Sequence, residues 1–248
     1  MRRVFIAWLL LLPGLQAFSQ FVPVPTSARS SALGGCLIPM EQERYVMLGY
    51  RSGYVVSGMG TARLDVALPF GERGRFLVGY SHFGDADYAE HRLSAAYAMR
   101  VAEWMEAGVD ADYCVLSVGD AHYDTRRWLS PSAFVRFSLL PRLQLMALGG
   151  TRPWDGARPW RMHLGMAYRP VNRLLTLVEV ESEEQWRLRL GAEYCYRQHF
   201  FFRAGLATSP LVVTAGLGVY YGRYLVNISV ESHSVLGLSP QIGIALCF

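Results

Sequence analysis

Two clusters in the chain carry residue types that catalysis uses. Ser232-His233-Ser234 follows Glu231, and His122 lies between Asp120 and Asp124. Serine, histidine and a carboxylate are the parts of an acyl-transfer triad. A triad needs nucleophile, base and orienter to meet in space, and adjacency in sequence does not assemble one. Loop composition explains both clusters more simply, so no catalytic residue is assigned and an enzyme is not expected. All 24 basic residues are Arg, with no Lys anywhere. That excludes Schiff-base, Walker and lysine-base chemistry. The four cysteines, Cys36, Cys114, Cys195 and Cys247, form no CxxC pair. Neither a metal set nor a redox motif is expected of them, and they read as small packing residues. No cofactor is implied.

What remains is charge placed at alternate positions. From Gln185 to Arg197, Trp186, Leu188, Leu190, Ala192, Tyr194 and Tyr196 point one way, while Arg187, Arg189, Gly191, Glu193, Cys195 and Arg197 point the other. A strand sends these two sets to opposite faces. The same split recurs over Trp160 to Arg169, His199 to Gly205, Met105 to Asp110 and Leu225 to Glu231. The polar faces together carry Arg63, Asp65, Arg92, Glu106, Asp110, Asp112, Arg161, His163, Glu179, Glu181, Arg187, Arg189, Glu193, Arg197, Arg203 and Glu231. These residues are the candidates for a polar interior. One reading is a selective channel or polar substrate site. The simpler one is that opposite charges pair across a lumen, with Arg forming bidentate carboxylate contacts.

The elements that must position them are short alternating runs. Fourteen occur, at 44–52, 58–69, 74–83, 88–99, 103–116, 131–138, 141–150, 159–169, 172–182, 185–197, 199–207, 210–219, 222–231 and 239–248. Most links are short and hold turn residues, such as Gly71-Glu72-Arg73-Gly74. Short links force antiparallel neighbours, hence an up-and-down meander. The gap from Ser117 to Ser130 reads as an external loop. A soluble barrel or sandwich also alternates, but here strand after strand pairs an aromatic-rich apolar face with a small-plus-charged face, which is the pattern of lipid outside and lumen inside. The expected fold is all-β: a transmembrane up-and-down antiparallel β-barrel of about 14 strands (12–14). Trp104, Trp128, Trp160 and Trp186 fall near segment ends, where amphipathic rings meet membrane interfaces. The last strand presents Ile242, Ile244, Leu246 and Phe248 on one face. Its alternation and terminal aromatic resemble the signal that outer-membrane barrels show their assembly machinery, with Ile244, Leu246 and Phe248 as its residues.

The first residues complete an exported plan. Arg2 and Arg3, then Val4 to Leu12, then Ala17-Phe18-Ser19 have the order of a cleaved Sec signal peptide. The expected organisation is a signal peptide at 1–19, an N-terminal segment at 20–42 suited to plugging the lumen, and an outer-membrane barrel at 43–248. Removing Arg2 and Arg3 leaves 22 basic against 20 acidic residues. The overall charge of +4 lies in no stripe or run, so nucleic acid is not an expected partner. Gly165, Gly191, Gly205, Gly216 and Gly218 on the polar face either admit the segment Phe21 to Glu41 or relieve strand curvature. The expected partners are the lipid of a Gram-negative outer membrane and its barrel assembly machinery.

Several phrases carry a resemblance. They are Ser27-Ala28-Arg29-Ser30-Ser31-Ala32-Leu33-Gly34-Gly35, Arg187-Leu188-Arg189-Leu190-Gly191-Ala192-Glu193-Tyr194, Phe202-Arg203-Ala204-Gly205, Thr214-Ala215-Gly216-Leu217-Gly218 and Leu236-Gly237-Leu238-Ser239. In this order they resemble the FadL-like superfamily of outer-membrane barrels, and within it the PorV/PorQ type associated with type IX secretion. The resemblance is densest over 185–248. It implies a fourteen-stranded barrel with an N-terminal stretch folded into the lumen. The chain departs from the family at Cys36-Leu37-Ile38-Pro39, where Asn-Pro-Ala is common, and at Pro240, where a His is common. It is also shorter than the fatty-acid transporters, which points away from long-chain fatty acid transport. The first functional expectation is a non-enzymatic accessory or scaffold barrel of protein secretion or surface attachment, with secretion-system components as partners. The alternative is a pore or transporter for small hydrophobic molecules. A lipid-modifying barrel enzyme ranks third.

Overall fold

Alternation at period two commits each run to a strand with unlike faces. Short links then commit successive strands to antiparallel pairing. The computed structural model describes residues 27–37, 44–119, 122, 124–151, 160–182 and 185–248. The expected signal peptide at 1–19 lies outside the described residues, as do the ends of the segment that follows it.

A short helix, α1 (Ala28–Ala32), precedes the strands. They are β1 (Tyr45–Ser52), β2 (Gly60–Phe70), β3 (Gly74–Gly84), β4 (Tyr88–Ala102), β5 (Met105–Val118), β6 (Arg126–Leu140) and β7 (Leu143–Thr151) in the first half. The second half holds β8 (Trp160–Val171), β9 (Leu174–Ser182), β10 (Trp186–Tyr196), β11 (Phe200–Ala207), β12 (Val212–Tyr221), β13 (Tyr224–His233) and β14 (Gly237–Cys247). Each strand pairs with its sequence neighbours, and β14 closes on β1 from Tyr45↔Cys247 to Arg51↔Gln241. Closure removes every free edge, which a lipid environment requires because no water is there to satisfy unpaired backbone groups.

The two ends differ. At one end every link is two or three residues, at 71–73, 103–104, 141–142, 172–173, 197–199 and 222–223. Arg44 and Phe248 lie at this end, where the Phe248 N–H bonds the Arg44 carbonyl at 3.4 Å. The opposite end carries the longer links, including 53–59, 119–125 and 152–159. Short turns at one end and long loops at the other are the usual asymmetry of outer-membrane barrels.

The exterior is apolar along the middle of the strands. Phe202, Leu217, Ile228 and Ile244 stand exposed on it at mid-strand. Such area would be a liability in water and is the natural complement of hydrocarbon. Trp160 and Trp186 are 70% and 65% exposed near the long-loop end, and Trp104 is exposed at the short-turn end. Trp128 departs from the expected interface role. It points inward and packs on Cys114 and Leu116, because Trp128 shares the face of Ser130 and Ser132, both buried.

The interior is layered. At the short-turn end Tyr45, Met47, Ala67, Leu225, Ala245 and Cys247 form a buried apolar cluster, with Leu77, Phe201 and Tyr220 packed against it. Here both faces of the strands are apolar, so the polar lumen face does not run the barrel's full length. The middle layer holds the charges. The expected external loop at 117–130 is shorter than its sequence suggested. β5 runs to Val118 and β6 starts at Arg126, paired from Leu116↔Arg126 onward. Inward Trp128 and outward Pro131 hide the alternation there.

Candidate functional site

The lumen is occupied by residues of the chain itself. Ser27 caps α1, its hydroxyl accepting the Ser30 N–H at 3.1 Å. After Leu33 the chain turns through Gly34 and Gly35, at φ +73° and +79°. Only glycine takes that left-handed conformation without a steric cost. The turn redirects the segment across the barrel. Ala28 to Ala32 lie against β11 to β14, whereas Leu33 and Cys36 pack on Ala167, Leu175 and Leu177 of β8 and β9.

Wall glycines make the fit. A Cβ on Gly191 would stand 2.8 Å from the Leu33 carbonyl oxygen, and one on Gly216 would stand 2.5 Å from the Ala32 Cβ. A Cβ on Gly205 would overlap the Gly34 nitrogen. In return, a Cβ on Gly34 would stand 2.6 Å from the Leu190 carbonyl of the wall. At these three wall positions glycine makes room for the segment. Gly218 instead makes room for the Arg203 guanidinium, 2.6 Å from where its Cβ would be, and Gly165 has no contact under 3.7 Å.

Polar anchors hold the segment on three sides. Arg29 donates from Nε and Nη2 to both oxygens of Glu193, at 2.8 and 2.9 Å. Arg203 donates to the same carboxylate at 2.6 Å and to Asn227 at 2.8 Å, and lies over the Phe201 ring. The Ser31 hydroxyl donates to Glu231 at 2.7 Å, and Arg51 holds that carboxylate at 2.6 Å. Thr214 accepts the Gly34 N–H at 3.1 Å and donates to the Ala32 carbonyl at 2.9 Å. On the far side Glu179 accepts the Leu37 N–H at 2.8 Å, with His163 Nδ1 3.0 Å from its other oxygen. Arg189 reaches the Gly35 carbonyl and binds Glu181 at 2.5 and 3.0 Å. Arg187, at the rim, is 3.6 Å from Glu181 and donates to the Ser209 carbonyl at 3.0 Å. Burial pushes the Cys36 thiol up to about 12, with the Glu179 carboxylate adding to the shift. A thiol so placed carries almost no thiolate at neutral pH.

The wall from β2 to β8 bears further charges. Arg63 binds Asp65 at 2.7 and 2.8 Å. Glu106 takes Arg75 at 2.7 Å and Arg136 at 3.0 Å. Asp110 accepts from Ser132 at 2.6 Å, Arg161 lies 4.0 Å from Asp112, and Arg92 stands opposite Cys114. Arg197 is not in the lumen. It sits in the β10–β11 turn at φ +49°, its guanidinium 5.2 Å from the Tyr196 ring centre.

Sequence reasoning missed Arg29, Arg51, Arg75 and Arg136. Register was the available signal for one of them, since Arg136 stands directly opposite Glu106. The Ser232-His233-Ser234 cluster does not form a triad with Glu231. His233 Nδ1 accepts the Val235 and Leu236 N–H groups at 3.2 Å each, and Glu231 turns inward to Ser31 and Arg51. His122 is exposed, and its neighbours Asp120 and Ala121 lie outside the described residues. Ile244, Leu246 and Phe248 face outward from the last strand.

Neither a protein-family model nor a curated protein matches the sequence. Solved structures do. The barrel is similar to the CymD monoaromatic hydrocarbon channel, with a TM-score of 0.71 at 13% identity over 92% of this chain and 99% of that one. It is similar to the toluene transporter TodX of Pseudomonas putida, at 0.64 and 12% over 88% and 96%. A TodX deltaS2S3 mutant channel matches at 0.71 and 10%, over 90% and 99%. The PorV/PorQ type finds no support among these likenesses. At such identities the likeness is one of fold, and in fold the chain is a fourteen-stranded barrel of the kind these hydrocarbon channels use.

Proposed function

We propose that the chain is a non-enzymatic transport barrel of the outer membrane, reached by Sec export, whose passage is governed by the lumen segment 27–37. The carrying observation is the fit of that segment, seated on Gly191, Gly205 and Gly216 and anchored through Glu179, Glu193 and Glu231. A barrel that only scaffolds a partner has no need of a contact shaped to fill its lumen. Small hydrophobic molecules are the proposed cargo. The barrel likeness to hydrocarbon channels supports this, and so do the apolar clusters on the short-turn side of the charged layer. The secretion-scaffold reading rests on the sequence phrases alone.

Reconstitution tests the proposal. Full-length barrel and a variant lacking residues 20–41 are placed in liposomes and in planar bilayers. The full-length protein should conduct weakly and take up toluene in a saturable way. The deletion should raise conductance while the barrel still shifts on a heat-modifiability gel. A folded deletion variant with unchanged permeation would overturn the plug's role. Reproducible recovery of a stoichiometric partner, with no permeation by either form, would favour the scaffold instead.

A further inference from the structure

The outer wall holds a pair of imidazoles that transport does not use. His82 on β3 and His91 on β4 are direct cross-strand partners. Two residues beyond Gly84 and Ala89 on each strand, they sit close to the 85–87 turn at the long-loop end. The Asp85 N–H bonds the Tyr88 carbonyl at 2.9 Å, which makes 85 and 88 a hydrogen-bonded pair. Pairs alternate along an antiparallel ladder, so 82 and 91 form a non-hydrogen-bonded pair, the kind with the closest side chains. The two rings stand 4.8 Å apart, tilted by 36°. Both side chains are part-exposed, outside the barrel and near the water at its rim.

The immediate neighbours of the pair on that face are uncharged, and the nearest charge in the row is Arg127, one strand beyond Val115. Across the next strands the row continues to Ala62 beside His82 and Val115 beside His91. One step toward the membrane, the neighbours are Tyr80 and Leu93. Tyr80 meets His91 Nδ1 at 2.8 Å. When that nitrogen donates its proton to the phenol oxygen, Nε2 carries the lone pair. This outer-shell arrangement commonly fixes the tautomer of a metal-binding histidine.

The geometry points to a two-imidazole site for a divalent transition-metal ion of the copper, zinc or nickel class, formed by His82 and His91 with Tyr80 positioning His91. Imidazole suits these ions, with copper(II) the tightest by the usual order of affinity. The sheet holds both ligands in place, so little ordering accompanies binding. Among the described residues no third His, Cys or carboxylate completes a cluster. Water fills the other positions, and a bound ion stays exchangeable.

Copper(II) is the probe. The refolded full chain in detergent is titrated with it and followed by electron paramagnetic resonance. The nitrogen hyperfine pattern should show two imidazoles in the wild type and one in either His82→Ala or His91→Ala. Tyr80→Phe should keep two nitrogens but bind roughly tenfold more weakly. A barrel carrying both His122→Ala and His199→Ala should match the wild type. A wild-type spectrum with a single nitrogen overturns the site without recourse to any variant. Binding unchanged in the His82→Ala, His91→Ala double variant, its folding checked by heat modifiability, overturns it as well.

Discussion

At the scale of single residues, the lumen works through shared carboxylates. Glu193 serves two guanidiniums at once, Arg29 from the plug and Arg203 from β11. Removing it strands both in a buried place. Breaking one side of a buried pair costs about 3–5 kcal/mol, so Glu193→Ala should lower the unfolding free energy of the refolded barrel, read from denaturant titration, by that order. Adding Arg203→Ala should cost less than the sum of the two single changes, because the second substitution removes one of the stranded charges. Strict additivity would mean that the network is not coupled. Most of these carboxylates were legible in the sequence, since Glu179, Glu181, Glu193 and Glu231 all alternate with apolar neighbours. Arg75 and Arg136 were not. Their inward neighbours, Leu77 and Phe134, are themselves apolar, and an arginine between apolar residues on both faces shows no period.

At the scale of elements, the number of strands followed from alternation and turn chemistry, because both are local. Strand length did not. β4 and β6 run past the point where alternation fades, since continued pairing with a neighbour sets their ends. The meeting of α1 with the wall was beyond local reading altogether. A glycine in a strand reads the same whether it bends the strand or admits another chain. Gly205→Val separates these roles. Valine suits a strand, so the barrel should still close, but the side chain would overlap Gly34 and displace the plug. Cys36 reports the result. Its thiol is buried and held up to about 12, so alkylation should be slow in the wild type. Each 1.4 kcal/mol of lost anchoring raises the exposed population about tenfold. Labelling of the variant by a maleimide should rise at least that much, and equal labelling rates would place the fit elsewhere.

At the scale of the whole molecule, the barrel turns the usual protein inside out: charge is enclosed and apolar surface is displayed. That arrangement was readable from faces alone, whereas the inner apolar cluster around Met47 and Leu225 was not, because there the two faces are alike. Leu217→Arg tests the outer face. It is exposed at mid-strand on β12, where an arginine facing the bilayer centre costs about 2–4 kcal/mol. The variant should fail to insert at the wild-type yield into lipid vesicles, and normal insertion would deny that this face meets hydrocarbon. The plug has a further consequence, which concerns time. Its anchors lie far along the chain: Leu37 meets Glu179 across 142 residues and Ser31 meets Glu231 across 200. Contacts of such separation form after local ones, because the intervening loop must close first. The segment is made early, yet its binding surface exists only once the C-terminal strands are in place. Its docking is therefore among the last acts of maturation, and a barrel that stalls short of β13 leaves Ser31 without its acceptor.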